Sequence, residues 1–207
     1  MTNFDLNTLL TEISSDAPCG KDISYDADFL ELERIAEGTA ETQVGDHVQE
    51  AVKPDWKEVR QLSLGLLERS LDLRLIIYLS AAMLRLEGIS GFSNGLALLR
   101  GLVEQYWEHL FPQLDPEDDN DPLERMNIIG SLSPPATGMN DPMQFIPRLM
   151  ALPLCKPDDV RLPHVSLRDM HIESGEILLS ESEAGGAPSL QLIDAAFEQT
   201  DSGTLKT

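Results

Sequence analysis

The feature that most constrains the fold is a central segment, Leu73–Leu86, whose apolar residues leave no polar side when they are placed on a helix. A helix without a polar face is normally buried by neighbouring elements. The flanking segments 54–70 and 91–110 carry apolar side chains at helical spacing, and a few residues join each of them to the central segment. Helices with such short connections pack antiparallel, so residues 54–111 are expected to form a core of mutually buried antiparallel helices.

Further helices are predicted outside this core. Apolar residues at helical spacing place them at residues 3–13, 26–37, 123–132, 143–152 and 189–199. Residues 39–53 read as a polar loop and 112–122 as an acidic loop bounded by prolines, while alternation within 165–179 allows one small β-hairpin. The expected fold is therefore all-α: an antiparallel helical bundle of about seven to nine helices with long loops.

The predicted elements divide the chain into two parts. We assign residues 1–135 to a helical N-terminal domain, and 136–207 to a less regular extension that packs on it and ends in a helix and a truncated linker. Asp201–Thr204 offers cap-type residues, as at the start of another helix, and three residues follow it. A helix that short is not stable in water, so we expect the chain to be part of a longer protein.

The acidic composition limits the classes of partner. The chain has 36 acidic and 15 basic residues, for a formal net charge of −21. Such a surface repels nucleic-acid phosphates and anionic lipids, and it attracts basic protein surfaces. The start of the chain lacks the pattern of a signal peptide, and the longest apolar run, Leu75–Leu84, is about half the length that crosses a bilayer. We expect a cytoplasmic protein that does not bind nucleic acid or insert into membranes.

The acidic loop 115–121 is the strongest candidate for chemistry. An EF-hand loop needs Gly at its sixth position and Glu at its twelfth, where this chain has Asn120 and Met126. Asp121 and Pro122 instead suit a helix start. The four histidines lack the spacing of a metal-binding pair. We predict no enzyme and no cofactor; the alternative is a metal-dependent hydrolase or calcium-binding module that uses this loop.

Several stretches share their order and spacing with a known family. They are Pro18–Asp26, Pro54–Val59, Ser70–Arg74, Gly95–Leu102 with Tyr106 and Trp107, Phe111–Asp118, Asp121 and Pro122 with Arg125–Asn127, Val165–Asp169 and Ile193–Phe197. Together they resemble the ImpA-type N-terminal domain family, the N-terminal region of the TssA components of bacterial type VI secretion systems.

The resemblance implies a cytosolic, non-enzymatic assembly or scaffold component. Its implied partners are baseplate, tube and sheath components of the secretion machine during tail assembly. Other copies of the same protein would meet through C-terminal regions that this sequence lacks, so we expect the chain alone to be a monomer or a weak dimer.

The family-motif positions are the candidate site residues. We interpret them as mainly structural, with a capacity to form an interface. They are Pro18, Gly20, Tyr25, Asp26, Asp55, Trp56, Trp107, Pro112, Asp115, Pro116, Asp121, Pro122 and Arg125.

Overall fold

A computed structural model describes residues 4–39, 42–44, 47–49, 51–134, 143–157, 159, 161–179 and 188–200. Its helices are α1 (Leu6–Leu9), α2 (Ala27–Glu37), α3 (Trp56–Leu67), α4 (Leu73–Tyr106), α5 (Leu123–Gly130), α6 (Phe145–Met150), α7 (Leu167–Glu173) and α8 (Leu190–Glu198). Its strands are β1 (Thr42–Val44), β2 (His47–Gln49), β3 (Pro153–Cys155) and β4 (Val165–Ser166). The predicted all-α class is confirmed.

Two compact units make up the chain. Unit one is Met1–Phe145 and unit two is Ile146–Thr207. The division at residue 135 that the sequence suggests stays a prediction.

The core of unit one is α4: α3 packs along it, and α2 packs on α3 and contacts α4 through the rings of Phe29 and Tyr78. The sequence predicts two helices here, and the structure forms them without a loop, as one element broken at Gly88. Gly88 has φ 70° and ψ −146°, a conformation that glycine adopts without strain. The two halves then lie side by side, because a Cβ added at Gly95 would come within 2.3 Å of the Ser80 hydroxyl. The expected antiparallel arrangement is confirmed.

Among the described residues, α4 is the one helix long and apolar enough to cross a membrane by length and composition. Of its most apolar window, 56% is buried inside the protein. Leu73, Leu75, Ile76 and Leu79 are all fully buried. This is the burial of a core helix.

Aspartates start the helices of this core. The Asp26 carboxylate accepts a hydrogen bond from the Asp28 amide, Asp55 from the amides of α3, and Asp72 from the Arg74 amide. An N-cap carboxylate satisfies an amide that has no partner within the helix. Each of these helix starts agrees with its sequence prediction.

The polar loop predicted at residues 39–53 is partly wrong. Strands β1 and β2 pair antiparallel there, with Gln43 opposite Val48, and a bridge between Thr39 and Val52 extends the pairing. Strands of three residues are too short to show a period in the sequence.

The hairpin predicted within 165–179 is also corrected. A two-stranded antiparallel sheet does form, but β4 pairs with β3, and α7 follows it directly. A capping box sets this boundary, because the Ser166 hydroxyl accepts from the Asp169 amide while the Asp169 carboxylate accepts from the Ser166 amide. The core of unit two comprises Cys155, Val165, Ile193 and Ala196, with Leu162 and Phe197 packed against them.

Candidate protein-interaction surface at one end of unit one

Three distant segments meet at the end of unit one where α4 begins. The Leu71 amide donates to the Cys19 carbonyl at 2.9 Å, and the Phe111 amide donates to the Leu71 carbonyl at 3.1 Å. Residues 70–72 therefore lie between the turn at Gly20 and the segment after α4. A Cβ at Gly20 would lie 2.1 Å from the Arg69 carbonyl oxygen, so this approach requires glycine.

Arg125 joins a fourth segment to this end. Its side chain is buried, and its guanidinium donates to the carbonyls of Trp107, of Leu110 at 2.5 Å and of Pro112 at 2.7 Å. The guanidinium also lies 4.7 Å from the centre of the Trp107 ring. These carbonyls belong to the C-cap of α4 and to the segment after it, and hydrogen bonds from a charged donor to them are stronger than those between neutral groups. Arg125 thereby closes the end of α4.

Helix α5 differs from an ordinary surface helix in which residues it buries and which it exposes. Arg125 is its one buried residue, whereas Leu123 is 60% exposed and Met126 is 55% exposed. The Asp121 carboxylate accepts a hydrogen bond from the Leu123 amide at 2.9 Å, which fixes the start of the helix. The Arg125 side chain of α5 thus faces the protein, whereas Leu123, Glu124 and Met126 face solvent and the remaining apolar residues, Ile128 and Ile129, are half-buried.

A cavity of about 330 Å³ lies between α5 and the segment after α4. Its lining includes Leu114 and Leu123 together with the acidic residues Asp115, Asp121 and Glu124 and the buried Arg125. The Asp115 carboxylate also accepts from the Glu117 amide at 2.8 Å, so the start of the acidic loop has a defined shape. The result is an acidic groove with apolar walls.

Arg74 connects this groove to the turn before α2. Its guanidinium binds the buried Asp72 carboxylate at 2.6 Å, donates to the Ser24 hydroxyl at 3.2 Å and lies 3.7 Å from Asp22. Burial alone would lower the pKa of Arg74, but the hydrogen bond and charge of Asp72, then the charges of Asp22 and of Glu124 in the groove, raise it. The turn and the groove therefore belong to the same end of unit one.

The turn before α2 displays an aromatic ring. Tyr25 is 95% exposed, and hydrogen bonds from Ser24 to Asp22 hold the turn and lower the pKa of Asp22. The next residue, Asp26, caps α2 and binds Arg69 at 2.9 Å. The Asp28 amide is the main cause of the lowered pKa of Asp26, and Arg69 contributes less.

Other candidate residues lie elsewhere. Trp56 starts α3, and the Arg85 guanidinium lies 3.8 Å from the centre of its ring. Arg85 is twelve residues beyond Leu73, which is about 18 Å along a helix. Trp56 therefore lies towards the break of α4 at Gly88, away from the end of unit one where α4 begins. Pro18 is local to its own turn, where its carbonyl accepts from the Ile13 amide, and Pro116 begins a 3-10 turn in the acidic loop.

The sequence interpretation missed two features. One is the ion pair between Asp72 and Arg74, and the other is the exposure of the apolar residues Leu123 and Met126. The first pair stands two residues apart within a quoted motif, so a capping aspartate next to an arginine was a usable signal. The exposure of the second pair had no local signal, because its spacing also suits a buried helix face.

The alternative of a metal-dependent hydrolase or calcium-binding module needs a set of metal ligands, and the described part of the chain does not provide one. There, no group of three His, Cys, Asp or Glu side chains is placed to hold a metal ion. The Asp115 and Asp121 carboxylates both accept hydrogen bonds from backbone amides.

The fold is that of the N-terminal domain of a type VI secretion component. A solved structure from Burkholderia cenocepacia, described as the N-terminal domain including the conserved ImpA_N region of the TssA component, matches with a TM-score of 0.71 and 25% identity. The match covers 97% of this chain and 73% of that one.

The sequence comparison identifies the family. The family described as "ImpA, N-terminal, type VI secretion system" matches residues 10–134, so this chain belongs to the ImpA N-terminal family. The type VI secretion system component TssA1 of Pseudomonas aeruginosa is 48% identical over 129 residues, which is 62% of this chain. The aligned region spans 38% of the length of that relative.

Proposed function

We propose that this chain is a non-enzymatic, cytoplasmic assembly component of a type VI secretion system that acts by binding other proteins. Membership in the ImpA N-terminal family supports the assignment to a type VI secretion system. The similarity to secretion components named TssA supports a role in its assembly. The partners that we propose are baseplate, tube and sheath components. Other copies of the protein would meet through regions outside this chain, which by itself would be a monomer or a weak dimer.

One structural observation supports binding through the end of unit one. The motif segments around residues 20, 72, 111 and 125 meet there and are held by buried hydrogen bonds. That arrangement leaves Tyr25, Leu123 and Met126 exposed on a supported framework. A rigid framework that displays aromatic and apolar side chains is typical of interface hot spots, because little entropy is lost on binding.

The test is co-purification of the intact protein from cells that assemble the secretion system. We expect components of the machine to co-purify, and Tyr25→Ser to weaken their recovery while the fold is retained. Leu190→Ser, at a residue of unit two that is 53% exposed, is the matched control. Recovery of no secretion component with the unmodified protein would contradict the proposal.

A calcium titration separates this proposal from the metal-dependent alternative. If the acidic loop bound calcium, the ion would stabilise the folded state and raise the unfolding temperature as its concentration rose. We expect the unfolding temperature to stay unchanged at millimolar calcium. A rise that Asp115→Asn abolishes would favour the calcium-binding module.

A further inference from the structure

The orientation of α5 indicates that its exposed apolar residues form a surface for another molecule to cover. All eight residues of α5 are described, and the one that is buried is an arginine, whereas Leu123 and Met126 lie in solvent. Single exposed apolar residues are common, but an exposed apolar pair opposite a buried charge on one helix is informative. Arg125 anchors the helix, so Leu123 and Met126 are left available to something outside unit one.

The charge of the adjacent groove indicates what that occupant carries. Asp115, Asp121 and Glu124 line it and are exposed. Arg125 also lines it, but this residue is 1% exposed and its guanidinium already binds three carbonyls. The charge accessible to a partner is therefore that of the carboxylates. Each carboxylate has about four sites for accepting hydrogen bonds, so the cap interactions of Asp115 and Asp121 leave others free.

The overall charge argues against a second copy as the occupant. The chain carries −21, so two copies brought together at an acidic groove repel each other. The same charge opposes an anionic membrane. A positively charged protein segment is the occupant whose charge complements the groove.

We propose that the groove beside α5 receives a basic segment of a partner protein, whose Lys or Arg side chain lies among Asp115, Asp121 and Glu124. An adjacent apolar side chain of the same segment packs on Leu123 and Met126. This proposal rests on the proposed function, because it identifies the kind of partner segment that the protein-binding surface takes.

Site-specific photo-crosslinking in cells tests the identity of the occupant. A photoreactive amino acid replaces Met126 in the intact protein, and the same replacement at Ile89, which is 53% exposed next to the break of α4 at Gly88, is the matched control. We expect Met126, and not Ile89, to crosslink to a segment that mass spectrometry identifies as rich in Lys or Arg beside an apolar residue. An acidic segment, a second copy of this chain, or equal crosslinking at the two positions would overturn the proposal.

Affinity measurements test the two parts of the contact. For the crosslinked partner and the intact protein, Leu123→Ser and Glu124→Lys should each weaken binding about tenfold. The matched controls are Ile89→Ser and Glu173→Lys, at an exposed acidic residue of unit two, and both should bind as before. Binding should also weaken steeply as salt rises, because salt screens exposed charges.

The two proposals fail in different ways. If the secretion components co-purify equally with the unmodified protein, with Leu123→Ser and with Glu124→Lys, then the groove is not the site and the proposed function stands. If no secretion component co-purifies with the unmodified protein, then the proposed function itself fails. Circular dichroism of each variant establishes that it is folded.

Discussion

Replacing Arg125 with methionine tests whether this buried cation holds the end of unit one together. The change keeps much of the side-chain volume but leaves the carbonyls of Trp107, Leu110 and Pro112 without their donor. Hydrogen bonds to charged groups each contribute about 1.5–3 kcal/mol to stability. The substitution also removes the cost of burying a cation that has no acidic partner, which offsets part of the summed loss of the three hydrogen bonds. We therefore expect the free energy of unfolding to fall by about 3–5 kcal/mol.

Urea unfolding followed by tryptophan fluorescence measures this loss. Both tryptophans, Trp56 and Trp107, lie in unit one, so the signal reports the unit that contains Arg125. With a slope of about 2 kcal/mol per molar urea, the midpoint should fall by about 1.5–2.5 M. Arg125→Lys keeps the charge but loses the planar arrangement of donors. Its urea midpoint should therefore lie between those of the unmodified protein and Arg125→Met.

A surface arginine provides the matched control for this prediction. The Arg100 side chain is 78% exposed and pairs with Glu104, so Arg100→Met should change stability by less than about 0.5 kcal/mol. If Arg125→Met unfolds at the same urea concentration as Arg100→Met, then the three hydrogen bonds do not stabilise unit one and the reasoning is refuted.

Three further predictions concern packing and ionisation. Gly95→Ala should lower the free energy of unfolding, measured in urea, by about 1–3 kcal/mol, because its Cβ meets Ser80. Gly65→Ala has open space around the new Cβ and should raise that free energy by up to about 1 kcal/mol. Equal effects of the two substitutions would contradict this packing. Burial raises the pKa of Cys19 to about 11, so its thiol should react with Ellman's reagent at pH 8 after unfolding and not before. Burial also raises the pKa of Tyr78 to about 12. Since the unfolded phenol ionises near pH 10, stability should fall as the pH rises above 10, and Tyr78→Phe should remove that part of the fall in urea midpoints.

The helices of the core could be predicted because their signals are local. Capping aspartates stand directly before α2, α3 and α4, and each accepts a hydrogen bond from an amide within three residues of it. The break at Gly88 was also predictable, since glycine alone adopts its backbone conformation without strain. Interactions between neighbours in sequence leave a pattern in the sequence.

The strand pairs could not be predicted, because a short strand depends on a partner elsewhere in the chain. Strand β4 has two residues, and its partner β3 ends ten residues earlier, at Cys155. Alternation near residue 165 correctly indicates an extended segment. It does not identify the partner, and the capping box at Ser166 then begins a helix where the alternation suggested a second strand.

The sequence by itself determined the all-α class, the buried apolar helix at the centre, the acidic exterior and the family resemblance. All of these follow from composition, helical period and residues close together in the chain. The tertiary structure decided that Arg125 is buried and that Leu123 and Met126 are exposed. The reason is physical: the carbonyls that Arg125 binds belong to residues 13 to 18 positions earlier in the chain, so its burial depends on a contact that its neighbours in sequence do not encode.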